Sequence, residues 1–309
     1  MAEQLRFDNR VVIVTGAGNG LGRAHALLFA SRGAKVVVND LGGSSAGDGA
    51  SHRAADVVVN EIKAAGGEAV ANYNSVADGA AVVQTALDAF GRVDVVVNNA
   101  GILRDKTFAK MTPEDFAFVV DVHLNGSAYA TKACWETFRD QAYGRVLMTA
   151  SSTGLFGNFG QANYGAAKLG LAGLTKTLYL EGAKYNIKVN TLSPVAGTRM
   201  TEDLFPEQAF ELFDPVNVVP AALFLVSEDA PTNAIVGAGA GGFHSAWTVM
   251  NDAVWLPEDQ RTVEGFAENW DKIRDFSNLK APQSGSEQSG AILTAMQKVT
   301  GTGPSSARG

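Results

Sequence analysis

The amino-acid sequence predicts an α/β fold built around a doubly wound parallel sheet. Short runs of valine and isoleucine recur along the chain, and each is followed by a longer stretch with helical periodicity. A continuously apolar run is typical of a strand that is buried on both faces, as strands of parallel sheets are. Because alternating strands and helices imply right-handed crossovers, we expect one parallel sheet in a single domain, followed by an extended C-terminal segment.

The predicted elements alternate regularly along most of the chain. Strands are predicted at residues 11–14, 36–38, 69–73, 93–97, 145–149, 187–191 and 235–239. Helical patterns cover residues 21–32, 54–65, 80–90, 113–140, 164–185 and 220–227. The strand at 69–73 is the least clearly marked of the set. Residues 200–214 interrupt the alternation and are predicted to form a short amphipathic flap.

The alternation stops after Gly242, so we place the domain at residues 1–242 and a C-terminal extension at residues 243–309. The large aromatic side chains of the extension, among them Trp247, Trp255, Trp270 and Phe276, need a packing partner. We expect this segment to lie near the substrate pocket or a dimer interface. The last residues, 300–309, are predicted to be disordered.

The composition excludes several classes of protein. Of the 309 residues, 46% are hydrophobic and 18% are charged, which is too apolar for a disordered chain. The net charge of −7 disfavours a nucleic-acid-binding protein. The longest apolar stretch, residues 218–226, is far shorter than the ~20 residues that a membrane span needs. The single cysteine, Cys134, and a polar start without the features of a secretory signal predict a cytoplasmic protein with no metal site.

The clearest motif is a glycine-rich turn between the first strand and the first helix, Thr-Gly-Ala-Gly-Asn-Gly-Leu-Gly at residues 15–22. Its glycines match T-G-x-x-x-G-x-G, a wider relative of the Rossmann dinucleotide fingerprint. Glycines let the backbone approach a pyrophosphate, and the helix N-terminus offers unpaired N–H groups with partial positive charge. We therefore predict a Rossmann-type domain whose turn binds a dinucleotide through Gly16, Asn19, Gly20 and Leu21.

Asp40 indicates which dinucleotide is bound. It follows the second strand at about the spacing expected for a carboxylate that binds the adenosine ribose. Such a carboxylate accepts hydrogen bonds from the ribose hydroxyls and repels a 2′-phosphate, so NAD is predicted rather than NADP. Two other loops at the same edge of the sheet are predicted to contact the cofactor, through Asn74, Ser75, Val76, Asn99, Ala100 and Gly101.

Three side chains point to alcohol oxidation. Tyr164 and Lys168 lie one helical turn apart and project from one face, and Ser151 follows the strand at 145–149. An adjacent ammonium group and a nicotinamide cation would favour the phenolate and lower the pKa of Tyr164 from its usual value near 10. Tyr164 is therefore predicted to act as the general base, with Ser151 holding the substrate oxygen. A tyrosine and a lysine four residues apart are common in sequences, and the alternative is a surface tyrosine with a solvated lysine. The presence of the glycine turn in the same chain disfavours this alternative.

In their order and spacing, T-G-A-G-N-G-L-G, N-N-A-G, Ser151 and Y-G-A-A-K resemble the short-chain dehydrogenase/reductase family over about residues 7–242. The resemblance implies that Ser151, Tyr164 and Lys168 are catalytic, that Lys168 also holds the nicotinamide ribose, and that the protein is a homodimer or homotetramer. It further implies cofactor contacts from Pro194, Val195 and Thr198.

His123 departs from the family pattern, which commonly has an asparagine at this position. The resemblance implies that His123 is a fourth catalytic residue, in a proton relay from the lysine. A packed interior histidine is the alternative.

Longer strings resemble one branch of that family, the (3R)-hydroxyacyl-CoA dehydrogenase units of type 2 multifunctional enzymes of β-oxidation. They are V-V-V-N-D-L-G-G, V-A-N-Y-N-S-V, G-I-L-R-D and G-N-F-G-Q-A-N-Y. The resemblance implies NAD-dependent oxidation of a (3R)-hydroxyacyl-CoA to the 3-ketoacyl-CoA.

The substrate is otherwise weakly marked in the sequence. Arg104, Lys106 and Lys110 could bind CoA phosphates, although a solvated loop explains them equally well. The alternative function is a dehydrogenase of 17β-hydroxysteroids or other secondary alcohols, so the substrate is an acyl-CoA or a steroid. An NADP-dependent reductase is disfavoured by Asp40, and an inactive cofactor-binding scaffold by the presence of all three catalytic side chains.

Overall fold

The computed structural model of the protein describes residues 4–198 and 211–301. The chain divides into two compact units, Met1–Ala246 and Trp247–Gly309. The predicted boundary after Gly242 falls a few residues earlier than this division, because one more strand follows it in the first unit.

One eight-stranded sheet forms the centre of the first unit. Its strands are β1 (Val11–Thr15), β2 (Lys35–Asn39), β3 (Glu68–Asn72), β4 (Val95–Asn98), β5 (Gly144–Thr149), β6 (Ile187–Pro194), β7 (Ile235–Gly239) and β8 (Gly242–Ala246). The strand order is β3-β2-β1-β4-β5-β6-β7-β8, parallel except for the antiparallel β8. The predicted doubly wound α/β fold is confirmed, and the chain order reverses between β1 and β4, where ligands bind in such sheets.

Helices cover both faces of the sheet. They are α1 (Gly20–Ser31), α2 (Arg53–Ala64), α3 (Gly79–Phe90), α4 (Pro113–Val120), α5 (Gly126–Gln141), α6 (Ser152–Phe156), α7 (Ala162–Gly182) and α8 (Val219–Phe224). On one face, Val12 and Val14 pack with α1, α2 and α8, and on the other Val11 and Ile13 pack with α3, α5 and α7. Each such side chain stabilises the fold by about 1.5–3 kcal/mol, which explains the continuously apolar strands.

Three features differ from the sequence-based expectation. The pattern at 113–140 forms two helices joined by a single π-helical turn, Asp121–Asn125. The short helix α6 and the strand β8 were not predicted. Most of the predicted flap at 200–214 lies outside the described residues.

The C-terminal unit is formed of short elements and one longer helix. These are α9 (Val263–Glu268), α10 (Trp270–Ile273) and α11 (Gly285–Thr300). Most of its large apolar side chains are exposed, among them Trp247, Trp270 and Phe276. The placement of this segment near the pocket or a dimer interface stays a prediction. Of the end predicted to be disordered, Thr300 closes α11, and the residues after Gly301 lie outside the described residues.

His25 in α1 is fully buried, and among the described residues neither of its ring nitrogens has a hydrogen-bond partner. Burial lowers its pKa from 6.5 to about 4. The folded pKa therefore lies below the unfolded pKa, so the unfolded chain binds more protons between these two values. Stability is lost as the pH falls through this window.

We predict that the contribution of His25 makes the free energy of unfolding about 3 kcal/mol lower at pH 4 than at pH 7. Urea titrations at successive pH values measure this slope. His25→Leu, which places an uncharged side chain of similar size in the site, should flatten the slope, whereas His244→Gln at an exposed position should leave it unchanged. Equal slopes in the wild type and His25→Leu would contradict this account.

Candidate active site

A cleft of about 490 Å³ opens at the carboxyl ends of the strands in the first unit, where the chain order reverses. Every residue predicted from the sequence to belong to the site lines this one cleft. These residues are Gly16, Asn19, Gly20, Leu21, Asp40, Asn74, Ser75, Val76, Asn99, Ala100, Gly101, His123, Ser151, Tyr164, Lys168, Pro194, Val195 and Thr198. The cleft therefore brings together segments that are far apart in the sequence.

The glycine turn presents its backbone to the cleft. Gly16 and Gly20 have φ angles of 63° and 51°, which side-chain-bearing residues rarely adopt. The side chain of Asn19, the N-cap of α1, makes no capping hydrogen bond, so the first-turn N–H groups have no side-chain cap. Unpaired N–H groups at a helix N-terminus suit a phosphate, so the residues present fit the pyrophosphate of a dinucleotide.

The end of β4 holds this turn in place. The hydroxyl Oγ1 of Thr15 accepts hydrogen bonds from the backbone N–H groups of Asn99 (3.0 Å) and Ala100 (3.1 Å). The side-chain amide of Asn99 donates to the carbonyl oxygens of Thr15 (2.9 Å) and Gly16 (3.1 Å). A Cβ atom on Gly16 would lie 2.7 Å from the Cα of Ala100, so the close approach requires glycine.

Asp40 at the end of β2 also anchors backbone. One carboxylate oxygen accepts from the N–H of Gly18 and the other from the N–H of Gly42, each at 2.7 Å. A carboxylate has about four acceptor positions, so Asp40 retains capacity for ribose hydroxyls. Its negative charge lines the cleft beside the glycine turn.

Asparagine side chains position the loop after β3. The amide of Asn39 donates to Oδ1 of Asn72 (2.7 Å) and to the carbonyl oxygen of Asn74 (2.8 Å). The amide of Asn72 donates to Oδ1 of Asn74 (3.0 Å). Asn74, Ser75 and Val76 are thereby held at the far side of the same cleft.

The three predicted catalytic side chains converge at the other end of the cleft. Ser151 is the N-cap of α6, and Tyr164 and Lys168 lie near the start of α7. The Ser151 hydroxyl lies close enough to the Tyr164 hydroxyl to lower the pKa of the phenol. The Lys168 ammonium donates to the carbonyl oxygen of Thr149 at 2.6 Å and lies 5.5 Å from the ring centre of Tyr164.

The titration of these groups differs from the sequence-based expectation. Burial raises the pKa of Tyr164, the hydrogen bond from Ser151 acts in the opposite direction, and the charge of Asp105 adds to the increase. Burial also lowers the pKa of Lys168 to about 7. Desolvation is thus the largest effect on both groups.

His123 lies in the π-helical turn and is 1% exposed. Its Nε2 atom lies 3.1 Å from the backbone nitrogen and 2.8 Å from the carbonyl oxygen of Ile102. Its ring packs edge-on against Tyr164 at 5.1 Å and fills the space beside Gly101. Burial and the charge of Lys168 hold its pKa well below the usual value, so the ring is neutral at pH 7. Nδ1 is buried and has no hydrogen-bond partner among the described residues.

The end of β6 forms the remaining wall of the cleft. Val195 donates its backbone N–H to the carbonyl oxygen of Ala238 at 2.8 Å. A Cβ atom on Gly20 would lie 3.3 Å from the methyl carbon of Thr198, so Thr198 sits against the glycine turn.

Sequence reasoning missed other cleft residues. Two of them, Asn158 and Gln161, lie in G-N-F-G-Q-A-N-Y at residues 157–164, and a third, Thr153, lies in α6 just before it. Polar side chains within this glycine-rich stretch were the available signal. The loop after Asp40 was missed as well, and its lining residues are Leu41, Gly43, Ser44, Ser45 and Gly47.

The suggested cluster for CoA phosphates is largely neutralised within the protein. Arg104 and Lys106 each pair with a different oxygen of Asp115 at 3.1 Å. Arg104 also donates to the carbonyl oxygen of Ala46 at 3.1 Å and stacks on Phe118, with 4.4 Å to the ring centre. Arg104 therefore fastens the loop after Asp40 to α4.

Within residues 4–198 and 211–301 there is no group of three or more His, Cys, Asp or Glu side chains placed to hold a metal ion. In the same ranges, no helix combines the length and apolar character that crossing a bilayer requires.

Comparison with known proteins supports the fold and shows the family. The family model for short chain dehydrogenases matches residues 10–209. The chain is 51% identical to the peroxisomal multifunctional enzyme type 2 of Mus musculus over 98% of its own length and 42% of that protein. The structure of full-length peroxisomal multifunctional enzyme type 2 from Drosophila melanogaster superposes with a TM-score of 0.82 at 40% identity, covering 97% of this chain and 51% of that one.

A more distant solved structure is also similar. It is a 7α-hydroxysteroid dehydrogenase complexed with NADH and 7-oxoglycochenodeoxycholic acid, with a TM-score of 0.70 and 26% identity. The match covers 78% of this chain and 98% of the chain of the steroid dehydrogenase. The chain thus spans about half or less of the multifunctional relatives and nearly all of this smaller enzyme.

These relatives contradict the predicted cytoplasmic location, because the multifunctional enzymes of mouse and fly are both named as peroxisomal. A reducing environment, inferred from the single cysteine, does not distinguish the two compartments. The same comparisons confirm the predicted class of enzyme, an oxidoreductase that acts on CH–OH groups, and a cofactor of the NAD(P) type. From the fold, the cleft and the family match together, the chain belongs to the short chain dehydrogenase family.

Proposed function

We propose that the protein oxidises (3R)-hydroxyacyl-CoA to 3-ketoacyl-CoA with NAD. The observation that carries the proposal is the convergence of Ser151, Tyr164 and Lys168 beside the glycine turn, in a chain about half identical to enzymes of peroxisomal β-oxidation. The relatives' location is proposed for this chain as well, in place of the cytoplasm.

The residues have distinct roles in the proposed reaction. The glycine turn and Asp40 would hold NAD, which would supply the acceptor for the hydride of the carbinol carbon. Ser151 holds the substrate oxygen by a hydrogen bond, and Tyr164 as phenolate removes its proton. Lys168 stabilises the phenolate by its charge and binds the nicotinamide ribose, and the unpaired Nδ1 of His123 is the proposed link from this lysine to water. The cofactor contacts proposed for Pro194, Val195 and Thr198 complete the nicotinamide side.

The preference for NAD over NADP rests on Asp40. Its carboxylate is fixed by two backbone N–H groups and cannot swing away from the ribose. A 2′-phosphate at this position would place two negative charges in contact, which costs binding free energy.

A second candidate is the oxidation of a 17β-hydroxysteroid or another secondary alcohol. It is favoured by the structural similarity to a hydroxysteroid dehydrogenase, although the identity to that enzyme is only 26%. The catalytic residues would have the same roles, so the two candidates differ only in the substrate.

We propose a homodimer or homotetramer in solution. Exposed apolar side chains on α7, Leu169 and Leu180, and on α11, Ile292 and Leu293, support this assembly, because water-exposed apolar surface of this extent is typical of interfaces. The C-terminal extension is proposed to pack near the substrate pocket or the dimer interface.

Replacement of Tyr164 tests the mechanism. We predict that Tyr164→Phe lowers kcat by about 10²–10⁴-fold, because the ring remains but the proton acceptor is lost. NADH binding, measured by fluorescence titration, should be retained. A kcat within twofold of the wild type would show that Tyr164 is not the base.

Paired enantiomers test the substrate. Initial rates with NAD should be high for (3R)-hydroxyacyl-CoA and low for the (3S) enantiomer and for a 17β-hydroxysteroid. Turnover of the steroid but not of the CoA ester would favour the second candidate.

Replacement of Asp40 tests cofactor selectivity. We predict that Asp40→Asn raises the ratio of kcat/KM for NADP to that for NAD at least about tenfold, because the repulsive charge is removed and the ribose hydrogen bonds weaken. Asp229→Asn, an exposed carboxylate remote from the cleft in sequence, is the control with the same charge change. An unchanged ratio in Asp40→Asn would argue against the role of this carboxylate.

A further inference from the structure

A polar network with no role in the mechanism above lies beside the catalytic tyrosine. Gln161 is 7% exposed and lines the cleft. Its Nε2 atom donates to Oδ2 of Asp105 at 2.6 Å. Its Oε1 atom accepts from the hydroxyl of Thr153 at 2.8 Å and from the amide of Asn158 at 3.0 Å.

These partners allow only one orientation of the Gln161 amide. An ionised carboxylate only accepts hydrogen bonds, so the atom facing Asp105 must be the nitrogen. The donors from Thr153 and Asn158 then meet the oxygen and occupy both of its acceptor positions. The remaining functional group of Gln161 is its second N–H, which has no acceptor among the residues that the structure describes.

The two segments that carry this network are held together by backbone contacts as well. Lys106 donates its N–H to the carbonyl oxygen of Gly160 at 2.9 Å, and the amide of Asn163 donates to the carbonyl oxygen of Arg104 at 3.1 Å. Asp105 lies between Arg104 and Lys106, and Gln161 lies between Gly160 and Asn163. The pairing of Asp105 with Gln161 is therefore built into the docking of these segments.

The network reaches the reacting groups. The backbone N–H of Thr153 donates to the Ser151 hydroxyl at 3.2 Å, and the Ser151 hydroxyl in turn lowers the pKa of Tyr164. The titratable groups around Tyr164 are Lys168 on its own helix, His123 in the π-helical turn and Asp105.

The charges next to Asp105 are already compensated. Arg104 and Lys106 both pair with Asp115 on α4. Burial raises the pKa of Asp105, and the Gln161 hydrogen bond opposes this effect. The negative charge of Asp105 in turn raises the pKa of Tyr164.

We propose that Asp105 is a positioning residue of the active site, which holds the Gln161 amide so that it offers an N–H to a carbonyl group of the substrate. A 3-hydroxyacyl thioester has such an acceptor, because its thioester carbonyl lies two carbons from the carbinol. An isolated ring alcohol has none at this distance. This recognition rests on the proposed function, whereas the effect of the Asp105 charge on Tyr164 applies to any alcohol that the enzyme oxidises.

The first experiment measures recognition of the carbonyl. The full-length protein is assayed with a (3R)-hydroxyacyl-CoA and with its thioether analogue, in which the carbonyl is replaced by CH₂. The wild type should prefer the thioester in kcat/KM by about five- to tenfold, the equivalent of one hydrogen bond, chiefly through KM. Gln161→Met, similar in size but without the amide, should lose this preference. Equal preference in the two proteins would overturn the role of Gln161.

The second experiment measures the pH dependence of kcat/KM. Asp105→Asn removes a negative charge near Tyr164, so the phenolate forms more readily. The acid limb, the part of the profile in which kcat/KM rises with pH, should therefore shift to lower pH. Asp88→Asn is the matched control, because Asp88 accepts a similar bond from Gln84 at 2.7 Å on the exposed face of α3. The control should leave the limb in place. An unmoved limb in Asp105→Asn, even with lowered activity, would show a merely structural role.

Two further outcomes, a variant that does not fold and a wild type that does not oxidise the CoA ester, can be distinguished. If Asp105→Asn does not fold, Asp105→Ser removes the same charge with a smaller polar side chain and should shift the limb in the same direction. If the wild type does not oxidise (3R)-hydroxyacyl-CoA, the proposed function and the carbonyl recognition both fail. The limb shift is then measured with whichever secondary alcohol is oxidised, and its absence would overturn the remaining role of Asp105.

Discussion

The close approach of β1 and β4 is the constraint on which the active site depends. Thr15 and Asn99 bind the two strand ends together through four hydrogen bonds, and Gly16 passes too near Ala100 to carry a side chain. The glycine turn is therefore shaped by its neighbouring strand before any nucleotide arrives. Asp40 extends the same support through Gly18. A surface prepared in this way loses little conformational entropy on binding.

The sequence contained enough to predict the sheet and most of the cleft, for a physical reason. Parallel strands buried on both faces leave an uninterrupted apolar signature, and the carboxyl ends of such strands converge on one edge. Residues at these ends, such as Asp40, Asn99 and Ser151, could therefore be assigned to one site from their position in the pattern alone. Tyr164 and Lys168 could be predicted from the sequence equally well, because helical spacing places both on one face.

The remaining features depend on contacts between distant segments. The sequence suggested Arg104 as a phosphate ligand, but in the folded chain Arg104 pairs with Asp115. Gln161 and Asp105 acquire a shared function only because two loops dock side by side. The protonation of Tyr164 depends on desolvation, which no local pattern encodes, and β8 forms only because β7 offers it an edge.

The π-helical turn at Asp121–Asn125 has a consequence for the phase of the two helices that it joins. On an uninterrupted α-helix Val119 and Phe138 would point about 100° apart, yet both are fully buried. The widened turn absorbs one residue and realigns the two faces, while it swings His123 inward against Gly101. Loss of a single residue here would close the turn to a regular α-helical one and would keep the two buried faces aligned. The extra residue therefore serves the inward position of His123 rather than the packing of the two helices.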